Sequence, residues 1–207
     1  MNLENYYWYF KEAIPPRICD DIIEYGNSQK EDVAITFGYS EDPDDMSPNQ
    51  KKELEKKRKS NIVWMAYPWI YRELHPLLEV ANKNAGWNFQ WDWSETCQFT
   101  KYKLNQYYDW HTDARTEPYN KPNDLKSHGK IRKLSMTVSL VDGSEYEGGD
   151  FQLDFRDKEE NKPQTIKHIK SKGSVVIFPS FVWHRVTPVT SGQRYSLVCW
   201  TLGWPYK

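Results

Sequence analysis

Lys133-Leu134-Ser135-Met136-Thr137-Val138-Ser139-Leu140 alternates polar and apolar side chains without a fault. A period of two is what a β-strand with one buried face requires, because successive side chains point to opposite sides. The same period recurs on both sides of this stretch. Trp87, Phe89, Trp91 and Trp93 alternate with Asn88, Gln90 and Asp92, and Phe151, Leu153 and Phe155 alternate with Gln152 and Asp154. Arg194, Ser196, Val198 and Trp200 share one face, opposite Tyr195, Leu197 and Cys199. No helical pattern separates these runs, which argues against a parallel α/β sheet. Many short strands with polar turns predict a mostly β fold, a double-sheet jelly roll over residues 87–207.

The alternation also says what faces what. If Leu134, Met136 and Val138 pack outward on helices, Ser135, Thr137 and Ser139 face the interior. Interior hydroxyls are costly unless paired or wetted, and a cavity holding a polar cosubstrate would supply partners. A strand with its polar face in solvent is the plainer alternative.

Residues 1–86 read as a helical preface. Pro15 and Pro16 open a helix with Ile18, Ile22, Ile23 and Tyr25 on one side, ending near Gly26-Asn27. A second helix is predicted from Pro68 to Asn84, with Pro76 kinking it or breaking it in two, and Gly86 ending it. Between them, residues 41–60 carry many charges and few apolar groups. They are expected to form a solvated loop ending in a short charged helix, with a substrate lid as the functional alternative. Arg115–Lys130 is a second polar loop.

The 207 residues fit a single domain. A net charge of −1 gives no reason to expect nucleic acid or an anionic membrane as partner. No long apolar run and no signal-like start appear, so neither membrane spanning nor export is expected. Cys19, Cys97 and Cys199 are odd in number and lack metal-binding spacing, which suits reduced thiols in a cytoplasm. The oligomeric state is not legible.

Chemistry concentrates in His111-Thr112-Asp113, joined by His184 and Arg194. Residues i and i+2 of an extended segment face the same side, so His111 and Asp113 can converge on one metal while Thr112 points away, with His184 supplied by another strand. Two histidines and one carboxylate on one face, with open positions opposite, suit a non-haem Fe(II) oxygenase. Arg194, ten residues after His184, offers a planar two-toothed grip on a carboxylate. His75, His128 and His168 lack such neighbours and read as ordinary, His128 in a loop and His168 on a strand.

The surrounding residues carry a resemblance. Tyr102, then Tyr107-Tyr108-Asp109-Trp110-His111-Thr112-Asp113, Glu147-Gly148-Gly149, Phe178-Pro179 and His184-(x9)-Arg194 occur in that order. Over roughly residues 95–204 they resemble the prolyl-4-hydroxylase-like branch of the 2-oxoglutarate/Fe(II) dioxygenases, PKHD-type hydroxylases above all. The resemblance implies a double-stranded β-helix buttressed by the N-terminal helices. It implies Fe(II) held by His111, Asp113 and His184, with 2-oxoglutarate and O2 as cosubstrates and ascorbate as a supporting reductant. Arg194 would take the distal carboxylate, Ser196 would add a hydroxyl and Tyr102 would stand in the cofactor pocket. Asp113 implies hydroxylation, since related halogenases lack a carboxylate there. The implied substrate is a prolyl residue of a protein or peptide, converted with release of succinate and CO2.

Tyr108, Trp183 and Trp200 are candidate substrate contacts, and Tyr107, Tyr108, Tyr119 and Trp183 are candidates for an aromatic rim. Alternatives are a non-catalytic jelly-roll binding module, a zinc or manganese cupin-like enzyme, and an oxygenase acting on a small molecule or nucleobase. Nucleobase-directed relatives carry a second Arg where this chain has Trp200.

Overall fold

A computed structural model describes residues 5–34, 45–156 and 162–206. The first third of the chain gives β1 (Trp8–Phe10), α1 (Pro16–Ser28), β2 (Asp32–Val33), α2 (Pro48–Lys57), β3 (Arg58–Lys59), β4 (Asn61–Met65) and α3 (Pro68–Asn84). Then come β5 (Trp93–Ser94), β6 (Cys97–Tyr102), β7 (Tyr107–His111), β8 (Ile131–Ser139), β9 (Tyr146–Gly148) and β10 (Phe151–Asp154). The last are β11 (Gln164–Thr165), β12 (Val175–Pro179), β13 (Trp183–Val186), β14 (Val189–Gly192) and β15 (Arg194–Gly203).

All strand pairings are antiparallel. The larger sheet runs β1-β12-β8-β15-β6-β4-β2, with β5 also on β15, and the smaller runs β11-β10-β13-β7-β3. This is the jelly roll that the alternation predicts. The outward residues of β8, Leu134, Met136 and Val138, join one buried cluster with Ile22 of α1 and Ile70, Leu74 and Leu78 of α3. Each such side chain contributes about 1.5–3 kcal/mol on burial. A second cluster, including Leu153, Phe178 and Val186, fills the space between the sheets. Ser135, Thr137 and Ser139 are buried on the inner face. Ser135 pairs with Ser180 at 3.0 Å and Ser139 donates to the Ile169 carbonyl.

Several expectations are corrected. Helix α1 ends at Ser28, one residue past the expected Gly26-Asn27, and Gly26 lies inside it because the Phe99 ring packs there, where a Cβ would lie 2.4 Å from Phe99 Cε1. Helix α3 stays one helix through Pro76, which sits on the exposed side, where the bond it cannot make is left to solvent. The Trp87–Asp92 alternation is not a strand. The Asn82 side chain donates to the Phe89 carbonyl and accepts from its N–H, both at 2.9 Å, and so takes the bonds that a strand partner would make.

The charged segment contributes to the core. Met46 and Leu54 are buried, α2 opens with a Ser47/Gln50 capping box, and β3 joins the smaller sheet. Residues 41–44 of that segment lie outside the described residues. His168 lies in a 3₁₀ turn, Lys167–Ile169, stacked on Tyr9 at 4.6 Å. All three cysteines are free and buried. Among the described residues no helix is long and apolar enough to cross a membrane.

Candidate active site

His111 and His184 stand directly opposite each other on the neighbouring strands β7 and β13. Asp113 lies just past the end of β7. Its N–H and that of Ala114 both donate to the Ser180 carbonyl, at 2.9 and 2.8 Å. The i, i+2 argument therefore gives the right neighbourhood for a different local reason: the carboxylate is aimed by this turn, not by the strand pleat. One ligand atom from each of the three side chains lies within 4.8 Å of the others. Asp113 Oδ2 is 3.4 Å from His184 Nε2, and Oδ1 is 3.8 Å from His111 Nε2.

The imidazoles are held in one tautomer. His111 Nδ1 is 2.7 Å from the Asp109 carbonyl and His184 Nδ1 is 3.0 Å from the Val182 carbonyl. A carbonyl only accepts, so both Nδ1 atoms carry a proton, and each ring presents its Nε2 toward Asp113, the orientation that metal-binding histidines require. Burial, then the neighbouring His184, pushes His111 well below the usual imidazole range, which keeps it neutral. Burial pushes the Asp113 carboxyl up, but His184, His111, Arg132 and a hydrogen bond from Ser135 outweigh it and bring it to about 2. Two imidazole nitrogens and one anionic oxygen, converging within 4.8 Å of one another, fit a divalent first-row metal.

The predicted residues line one cavity of about 1330 Å³. Arg194 is buried on β15, its Nη1 3.3 Å from Ser196 Oγ and its guanidinium 5.3 Å from the Tyr102 ring centre. It has no ion-pair partner among the described residues. A buried guanidinium without a counter-ion is costly, so the site is built for an incoming anion. Gly149 makes room for it: a Cβ there would meet Arg194 Cδ at 3.0 Å. Trp183, at 37% exposed, lies at the mouth, while Trp200 is buried in the wall.

Tyr108 lines the cavity and stacks on His111 with ring centres 3.4 Å apart. Between His184↔His111 and Val186↔Tyr108 the register slips by one residue, and this bulge brings Tyr108 and His111 to the same side. Tyr107 does not line the cavity. Its hydroxyl donates to the Glu55 and Lys56 carbonyls and ties down the last turn of α2. The Arg115–Lys130 loop borders the cavity through Arg115, Thr116 and Tyr119.

Three functional neighbours escape sequence reasoning. Arg58 lies over the Tyr108 ring at 4.4 Å. Arg132, on β8, lies 4.0 Å over the Trp200 ring and forms a two-toothed pair with Glu95. Arg132 and Glu95 are 37 residues apart, and no local spacing marks them.

The profile of the 2OG-Fe(II) oxygenase superfamily matches residues 97–202. A PKHD-type hydroxylase of Alteromonas mediterranea is 35% identical over 103 residues, covering 49% of this chain and 41% of that protein. A PKHD-type hydroxylase of a Synechococcus species is 39% identical over 99 residues, covering 47% of this chain and 35% of that protein. The match thus spans less than half the length of these relatives. A prolyl hydroxylase from Trichoplax adhaerens, solved with a hypoxia inducible factor oxygen degradation domain peptide fragment, superposes with a TM-score of 0.66. Its identity is 16%, and the superposition covers 96% of this chain and 84% of that one, a likeness of fold.

Proposed function

This chain belongs to the 2OG-Fe(II) oxygenase superfamily, and from that membership we propose that it hydroxylates a C–H bond of a protein or peptide, a prolyl residue above all. The observation that carries the reading is one cavity holding two Nε2 atoms beside a buried carboxylate and, on a neighbouring wall, a buried arginine with no acid partner among the described residues. His111, Asp113 and His184 would hold Fe(II). Arg194 would grip the distal carboxylate of 2-oxoglutarate, with the Ser196 hydroxyl beside it and the Tyr102 ring as a wall. Bound there, Fe(II) with 2-oxoglutarate and O2 supplies the oxidising power to place one oxygen atom on the substrate carbon, with succinate and CO2 as coproducts.

The chain's own residues do the rest. The Asp109 and Val182 carbonyls fix the tautomers, and Tyr108 fixes the His111 ring plane. Trp183 at the mouth and Trp200 in the wall offer flat apolar contact to a substrate side chain. The PKHD-type hydroxylase relatives support hydroxylation, and the peptide fragment bound by the Trichoplax prolyl hydroxylase supports a polypeptide substrate. Three unpaired buried thiols suit work in the cytoplasm.

The test is an anaerobic titration with Fe(II) and then 2-oxoglutarate, followed by the visible charge-transfer absorption of the chelate. A saturable band, absent in His184→Ala, is expected. Folded protein that binds Fe(II) yet gives no band would overturn the cosubstrate assignment. Mass spectrometry of proline-containing peptides incubated with the loaded enzyme then tests the substrate.

A further inference from the structure

Arg132 reaches toward two carboxylates. Its Nε lies 3.1 and 3.2 Å from the two Glu95 oxygens, and its Nη2 lies 2.5 Å from Glu95 Oε2. Its Nη1 is 3.8 Å from Asp113 Oδ1. That gap is too long for a hydrogen bond and short enough for a strong charge interaction in a partly buried site. Asp113 Oδ1 is also the oxygen facing His111 Nε2, so a guanidinium bonded to it would occupy the lone pair that points at the metal position.

What keeps the guanidinium with Glu95 is how firmly Glu95 is fixed. Its N–H donates to the Trp200 carbonyl and its own carbonyl accepts from the Tyr71 hydroxyl, both at 2.9 Å. Its Oε1 accepts from the Tyr119 hydroxyl at 2.6 Å. Tyr119 is itself covered by the Arg115 guanidinium at 4.6 Å. Take the charge from Glu95, and Asp113 is the one remaining carboxylate near Arg132 among the described residues. A shift of about 1 Å would close the gap to a charge-assisted bond.

We infer that Glu95 is a positioning residue for the metal site, holding Arg132 off Asp113 so that the carboxylate stays open to a metal ion. This rests on reading His111, Asp113 and His184 as metal ligands. Tyr119 works through Glu95 in the same sense.

The test is a titration of the apo full chain with Co(II), read by its visible ligand-field absorption, with circular dichroism as a check of folding. Glu95→Gln keeps the shape and removes the charge, and should weaken Co(II) binding about 10-fold or more, the usual scale for a residue that orients a ligand. Tyr119→Phe should shift affinity in the same direction by less, and it serves if Glu95→Gln does not fold. The double variant Glu95→Gln/Arg132→Met removes the competitor and should bring affinity back to near that of the wild type. A single variant that binds as the wild type does, or a double variant as weak as the single, overturns the inference. Wild-type protein with no saturable Co(II) spectrum would overturn the metal reading itself, and this inference with it.

Discussion

The two ends of the cavity each present an arginine from the larger sheet, Arg194 on β15 and Arg132 on the adjacent β8. They differ in one respect. Arg132 has an acid from its own chain, Glu95, in a two-toothed pair, whereas among the described residues Arg194 meets a serine hydroxyl and an aromatic ring and no acid. An arginine already satisfied holds its neighbours apart, and one left unsatisfied waits for an anion from outside. Residue type alone does not tell a binding group from a structural one; the presence or absence of an internal counter-charge does.

The comparison can be broken in graded ways. The largest effect is expected between the two ends, where Asp113→Ala should cost more than about 100-fold in metal affinity, beyond what loss of an orienting neighbour costs, and should abolish succinate release. Calorimetric metal titration and succinate assay check this, and wild-type turnover in that variant would remove the three-residue site. Next, Arg194→Ala should raise the 2-oxoglutarate requirement roughly 10–100-fold, matching about 1.5–3 kcal/mol for a charged hydrogen bond, with metal affinity nearly unchanged. If Arg194→Ala and Glu95→Gln moved the same quantity, the two ends would not be separate.

Gly149→Ala is a smaller probe of the Arg194 end. At φ +57° it places a Cβ against Arg194, Val189 and Tyr146. It should cost about 1–2 kcal/mol of stability, read from denaturant unfolding, and raise the 2-oxoglutarate requirement with it. Ser196→Ala should do least, about threefold in the same requirement, since its hydroxyl meets the guanidinium at a long 3.3 Å.

Much of this was legible in the sequence. The alternation of Lys133–Leu140 placed β8 and its two faces because β12 and β15 take up its backbone bonds on both sides, and His111 and His184 meet because β7 and β13 pair. What was not legible depends on partners distant in sequence. Strands β1, β2 and β3 are two or three residues long and exist through the strands they join. Residues 87–92 carry a faultless strand pattern, yet Asn82 takes the bonds of Phe89. Tyr108 looked like a rim residue because the bulge in β7 leaves no mark in composition. Glu95 and Arg132 are 37 residues apart, and nothing in the sequence marks them as a pair.

The Ser180 carbonyl, which accepts from both Asp113 and Ala114, ties the metal-facing turn to the segment between β12 and β13, while the Ser180 hydroxyl ties that segment to β8. The site therefore cannot exist piecemeal. A chain that has not brought these three stretches together has no convergent ligands, so a metal ion binds the finished fold and not the open chain. Metal then acts as a latch on the whole barrel: at a hundredfold excess over its dissociation constant it deepens the native well by about 2.7 kcal/mol. Cells short of iron would hold this protein in a form that is more easily unfolded as well as idle.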